Sequence, residues 1–268
     1  MKTKLLQFAS LAVLISSALS CSSDPPEHPN PPRPLLRSTV WVEANEKSEY
    51  TYNPDSTIHK ITVSGGGVSI DTYFSYENGR LKDLKTGYST TTFEYNPAGR
   101  ISRTVKTSTI YTSKQIMEYT YAGNRLEKLE YFLENEAGKT LQWKNTYAYS
   151  SIGVLTEVLS ENDGSAYLHI IESYSPEMDY QPWAFIDYFS LQAMYPIYSL
   201  PPMEMMPKGK LPTRIVRKFR PKGGEWELDA VTSTDFSIES KRITRTKSTS
   251  QLPRYPEGNS FSEVEFHY

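Results

Sequence analysis

Residues 93–101 read FEYNPAGRI: an aromatic pair at Phe93 and Tyr95, a turn over 96–99, then Arg100 and Ile101. The same order recurs in FSYENGRL at 74–81 and YTYAGNRL at 119–126. The turns explain the recurrence. Asn78-Gly79 is a strong signal for a two-residue hairpin, because both central residues need φ > 0. Pro97 suits the second position of a type I turn, and Gly99 suits the left-handed residue that closes it. Counting outward from each turn sets Tyr76 against Leu81, Tyr95 against Ile101 and Tyr121 against Leu126. Tyr52 with Ile58 and Tyr149 with Leu155 follow by the same count. Loop length varies while the cross-strand pair stays constant, so each copy is a β-hairpin pinned at its tip by an aromatic–aliphatic pair. Tyr50, Phe74, Phe93, Tyr119 and Tyr147 precede these tyrosines by two residues and fall on the same face. Arg80, Arg100 and Arg125, the first strand residues after their turns, are expected on the other face as solvated charges.

EYNPAGRISR and SYENGRLKDL resemble the tyrosine–aspartate repeats of Rhs-type proteins, Tyr-Asp-x-x-Gly-Arg-Leu. Asn53, Glu77, Asn96, Ala122 and Ser150 stand here where that pattern has Asp. Rhs proteins wind many dozens of repeats into a hollow shell, so a chain with five or six copies does not inherit a casing role. The chain also resembles Bacteroidota lipoproteins of unknown function, which join a lipidation motif to such hairpins in a porin-like or curled-sheet fold. That resemblance covers residues 21–159 well and the remainder loosely. It implies a fold and an outer-membrane location but no activity.

The address is read from the N-terminal end. Lys2 and Lys4 precede a mostly apolar run from Leu5 to Leu19, shorter than a bilayer span. The run ends at Ala18-Leu19-Ser20-Cys21, which resembles a bacterial lipobox, and Cys21 is the single cysteine of 268 residues. Residues 1–20 are therefore expected to be a lipoprotein signal peptide, with Cys21 carrying a lipid into the membrane. One cysteine excludes an intramolecular disulfide and a cysteine-built zinc site. Residues 21–38 are rich in proline, which fixes φ and lacks an N–H, so they read as an extended tether. Residues 39–268 then form one domain. A formal net charge of −2 gives no electrostatic case for nucleic acid.

Residues 160–212 break the repeat. Pro182 opens a candidate short helix with Trp183, Ile186 and Phe189 on one face, ended by Pro196. This partly helical insertion is expected either to cover an end or face of the sheet or, through Trp183, Phe185, Phe189 and Tyr195, to line a ligand groove. Strands resume at 213–220. A degenerate sixth hairpin follows, with Ile238 facing Ile243 across Ser240-Lys241. The alternation of Ser262, Val264, Phe266 and Tyr268 makes the last strand.

The fold expected is thus all-β: eleven to thirteen antiparallel strands in a meander of hairpins, forming a strongly curled sheet or a barrel. No phosphate-cradling glycine loop, no nucleophile elbow and no histidine set at metal spacing occurs, so neither a cofactor nor a metal is expected. Twenty tyrosines and four tryptophans supply rings that stack on sugars or build a core. The function this supports is a non-catalytic envelope protein that binds a glycan, a peptide or a partner protein. The alternatives are a glycan hydrolase using a carboxylate pair and a purely structural component.

Overall fold

In the computed structural model, the described residues are 34–179 and 209–268. Sixteen strands run through them: β1 Ser38–Trp41, β2 Glu46–Tyr52, β3 Ile58–Gly65, β4 Val68–Glu77, β5 Arg80–Thr86, β6 Ser89–Tyr95, β7 Ile101–Ser108 and β8 Lys114–Ala122. They continue as β9 Arg125–Asn135, β10 Gly138–Tyr149, β11 Leu155–Asn162, β12 Ser165–Tyr174, β13 Pro212–Arg220, β14 Glu227–Glu239, β15 Arg242–Gln251 and β16 Ser260–His267. Each pairs antiparallel with its neighbours in sequence, and β1 pairs with β16, which closes the barrel. Closure leaves no edge strand running the height of the sheet.

The count exceeds the eleven to thirteen strands expected. Part of the difference lies beyond residue 160, where the repeat was expected to stop. Asn162 still ends β11, and β12 follows through Tyr174. The alternation along β12 is masked by a register shift near Ser173, so period-two reading fails there although the strand is real. The proposed helix, with Trp183, Phe185, Phe189 and Tyr195, lies outside the described residues, as do Cys21 and the residues that precede it.

All six hairpin registers read from the sequence are present: Tyr52↔Ile58, Tyr76↔Leu81, Tyr95↔Ile101, Tyr121↔Leu126, Tyr149↔Leu155 and Ile238↔Ile243. Each carries a β-bulge that sequence counting missed. Past the Tyr95↔Ile101 pair, the next is Glu94↔Arg103, so Ser102 is the extra residue. The bulge changes the inward spacing of the second strand from two residues to three. Ile58 and Ile61, Leu81 and Leu84, Leu126 and Leu129, Leu155 and Val158 are all buried for this reason.

The six short hairpins follow even-numbered strands, so they share one end of the barrel, the repeat end. Their rings and aliphatic side chains join one buried cluster with residues drawn from around the barrel, such as Leu36, Phe93, Tyr147, Ile215 and Phe266. A face buried on strands all around a closed sheet is the inside. The alternate residues point outward and carry cross-strand ion pairs, among them Lys60–Asp71, Arg103–Glu94, Lys144–Glu161 and Arg245–Glu265. A lipid-facing barrel needs an apolar band there.

Adjacent hairpins are clamped to one another at the repeat end. The β7–β8 ladder stops at Arg103↔Glu118. Beyond it the Tyr121 hydroxyl donates to the Ile101 carbonyl at 2.8 Å. Tyr95 donates in the same way to Leu81, Tyr149 to Leu126, Tyr174 to Leu155 and Tyr52 to Leu36. The arginines complete the clamp: Arg80 and Arg125 stay exposed, as expected, yet each guanidinium is engaged. Arg80 lies over the ring of Tyr95, Arg100 over Tyr121 and Arg125 over Tyr149, each ring belonging to the following hairpin. Burial pushes the Tyr149 hydroxyl up to about 12, against the pull of Arg125.

Candidate functional site

The opposite end of the barrel, the rim, is built differently. Inward positions there are small and polar: Thr72 and Thr86 share a hydrogen bond of 2.8 Å, as do Thr234 and Ser248. Large apolar side chains that stay exposed stand mostly on this rim, including Trp41, Val42, Val68, Tyr88, Ile110, Tyr111 and Phe261.

Hairpin lengths cut a notch in the rim wall. The β3–β4 hairpin is tall, and its pairing runs to Gly65↔Val68 across the Gly66-Gly67 turn. The β4–β5 pairing stops lower, at Thr72↔Thr86, because the β5–β6 tip turns at Gly87-Tyr88. Residues 68–71 of β4 are thus paired on one side only. On the far side the β6–β7 pairing ends level with the tip, at Ser89↔Ser108, where the Thr109 N–H donates to the Tyr88 carbonyl at 2.9 Å. The low tip therefore leaves a notch beside the taller β3–β4 hairpin.

A cavity of about 790 Å³ occupies this notch. Because the notch pierces the wall, side chains from both faces reach it: Ile70, Thr86, Lys106 and Gln115 from the lumen side, Asp71, Tyr73 and Lys85 from outside. Tyr88, Ile110 and Tyr111 supply its exposed apolar surface. Asp71 accepts from Thr62 at 2.6 Å and from the Tyr73 hydroxyl at 3.0 Å, and it meets Lys60 at 3.4 Å. The Thr62 and Tyr73 bonds, with Lys60, hold its carboxyl below the usual range. Burial pushes the Lys106 ammonium down. The amide oxygen of Gln115, across the strand from Lys106, is buried and has no hydrogen-bond partner.

None of these residues was singled out in the sequence, and the four aromatic residues that were lie outside the described residues. His59 sits on β3 and His169 on β12. His169 faces Arg217 across β12–β13, and burial together with Arg217 pushes its pKa down to about 4. Among the described residues no group of His, Cys, Asp and Glu forms a metal site.

No family model matches the chain, and no curated protein matches it by sequence. Solved structures do. A porin-like protein from Bacteroides uniformis superposes with a TM-score of 0.57 at 12% identity, over 87% of this chain and 96% of that one. A porin-like protein from Bacteroides vulgatus gives a TM-score of 0.49 at 12% identity, over 87% and 98%. At such identity the likeness to the first is one of fold, a closed antiparallel barrel.

Proposed function

We propose that this chain is a cell-envelope barrel, lipid-anchored at the outer membrane through Cys21, which binds a saccharide in the rim notch without transforming it. The observation that carries the proposal is the notch itself. It has the size of a small-molecule or oligosaccharide site, with the rings of Tyr73, Tyr88 and Tyr111 set among hydroxyl and amide groups. Rings stack on the apolar faces of sugars while hydroxyls and amides meet their polar edges. Asp71 is the one carboxylate among the described lining residues, and both its oxygens are engaged. Hydrolysis needs a second carboxyl group close by, so binding is the better account.

The envelope location rests on the basic–apolar segment before Cys21 and on the fold shared with a Bacteroides porin-like protein. The charged outer face argues that the barrel stands in water, with the anchor alone in lipid. Cys21→Ser should move the protein from the membrane fraction to the soluble envelope fraction with its melting curve unchanged; continued membrane residence would sink the anchor. Titrating an oligosaccharide panel by calorimetry tests the notch. Tyr88→Ala and Tyr111→Ala should each weaken binding at least severalfold, since a stacked ring contributes about 1 kcal/mol or more. Unchanged affinity in both would move the site elsewhere. A second reading has one observation in its favour. The unpaired side of β4 at 68–71 could take an extended peptide as an added strand, and it predicts hydrogen-exchange protection of those amides by a peptide.

A further inference from the structure

Two lysines line the notch, and neither holds a carboxylate. This is unusual in this wall. The other lysines of β2–β10, namely Lys47, Lys60, Lys82, Lys114, Lys128, Lys139 and Lys144, each pair with Asp or Glu. Lys85 and Lys106 form no ion pair among the described residues. They arrive from opposite faces of the wall, Lys106 on the lumen side between Thr91 and Gln115, Lys85 outside beside Tyr73. The low β5–β6 tip is what lets both border one cavity. Asp71, the carboxylate that shares it, is already committed to Thr62, Tyr73 and Lys60.

An ammonium partly withdrawn from water without a counter-ion is unfavourable, and burial already disfavours the charged form of Lys106. An anionic group placed in the notch would remove that penalty and gain charge-assisted hydrogen bonds. The buried Gln115 amide oxygen, lacking a donor, fits a hydroxyl beside the anion. Within the saccharide-binding reading on which this rests, we infer that the ligand is an acidic saccharide, its carboxylate or sulfate group bound by Lys85 and Lys106 and a neighbouring hydroxyl donating to Gln115.

The test is an array of matched acidic and neutral oligosaccharides, with galacturonan beside galactan and sulfated beside unsulfated chondroitin, probed with the full-length protein. The acidic member of a pair should bind about tenfold or more tightly, as expected when a charge meets two cations at close range, and the gap should narrow as salt rises towards 1 M. Lys85→Met and Lys106→Met should each erase most of that gap, weakening the acidic member of a pair far more than the neutral one. Lys218→Met, which removes a lysine outside the notch that also lacks a carboxylate, should change nothing. Thermal unfolding of the two notch variants should not fall below the parent's, because neither lysine holds an internal partner and burial already disfavours the charge of Lys106. Equal binding of acidic and neutral members overturns the acidic ligand and leaves the saccharide reading standing. Binding of no saccharide overturns both. Capture of a decamer of glutamate in place of any saccharide overturns both and favours strand addition at β4.

Discussion

Arg100 lies over the ring of Tyr121, its guanidinium carbon 5.1 Å from the ring centroid, although the two belong to successive hairpins. It also donates to the Gly123 carbonyl at 2.5 Å and to the Asn124 side chain at 2.8 Å, at the turn of that next hairpin. The backbone ladder between β7 and β8 has already ended below this level. The side chain therefore joins the two hairpins where the sheet itself no longer does. Arg100→Ala should cost about 1–2 kcal/mol, the worth of an exposed cation–π contact plus hydrogen bonds. Arg100→Lys should recover little, because an ammonium cannot stack and fork at once. Urea denaturation of the three proteins checks this, and an Arg100→Ala midpoint equal to the parent's would return the residue to a mere solvated charge.

The tyrosine half of the clamp is tested separately. Tyr149 donates to the Leu126 carbonyl at 2.8 Å, and Leu126 is fully buried. Tyr149→Phe keeps the ring and the Arg125 contact but leaves that acceptor without its donor, at a cost of about 1–2 kcal/mol. Tyr88→Phe on the exposed rim should be neutral to stability. Equal stability of Tyr149→Phe and the parent would mean that water replaces the hydroxyl.

These contacts explain how much of the fold could be read in advance. A hairpin tip is local: turn residues, flanking pair and register all lie within ten positions, so Tyr95 and Ile101 could be matched by counting. The bulge at Ser102 is local too, and its trace is the three-residue spacing of Leu126 and Leu129 or Leu81 and Leu84, which period-two reading passes over. The partners of Arg100 and of the Tyr95, Tyr121 and Tyr149 hydroxyls lie one hairpin away, and nothing in a single copy specifies them. Two further tyrosine positions were disguised. Tyr174 enters a connection too long to read as a turn. Tyr268 takes the tyrosine position just past β16, which pairs with β1 instead of a following strand, and Arg242 stacks on it as Arg100 does on Tyr121. The Phe266-His267-Tyr268 pattern was its visible sign. The notch was not legible at all. It arises from the difference in height between the β3–β4 and β5–β6 hairpins, and its lysines and tyrosines are scattered from residue 69 to residue 115.

Gly99 offers a sharper test of packing between hairpins. Its φ is +80°, and an added Cβ would lie 2.7 Å from Arg80 Nη2 of the preceding hairpin. Gly123, at φ +56°, would meet nothing within 4 Å. Both substitutions by Ala carry the left-handed penalty of about 1–2 kcal/mol, but only Gly99→Ala must also displace the arginine from Tyr95. Gly99→Ala should therefore be the more destabilising, and the excess should vanish in an Arg80→Ala background. An excess that persists without Arg80 would assign the strain to the backbone alone.

One source of pH dependence in stability lies on the lumen side. His169 sits opposite Arg217, with Asp229 paired to that arginine, and its folded pKa is pushed down to about 4 by burial first and Arg217 second. An unfolded histidine titrates near 6.5. Between these values the unfolded chain binds the extra proton and the folded chain does not, so stability must fall as pH falls through that window. The contribution is fully present above about pH 6.5 and is lost on approach to pH 4. Its size is on the order of 2 kcal/mol, because partial access to solvent softens the shift. His169→Gln removes the titrating group while keeping a polar side chain of similar reach. Denaturation midpoints of parent and variant, measured from pH 7 to pH 4, should converge or cross as the parent loses stability and the variant loses less. Parallel curves would place the acid sensitivity elsewhere.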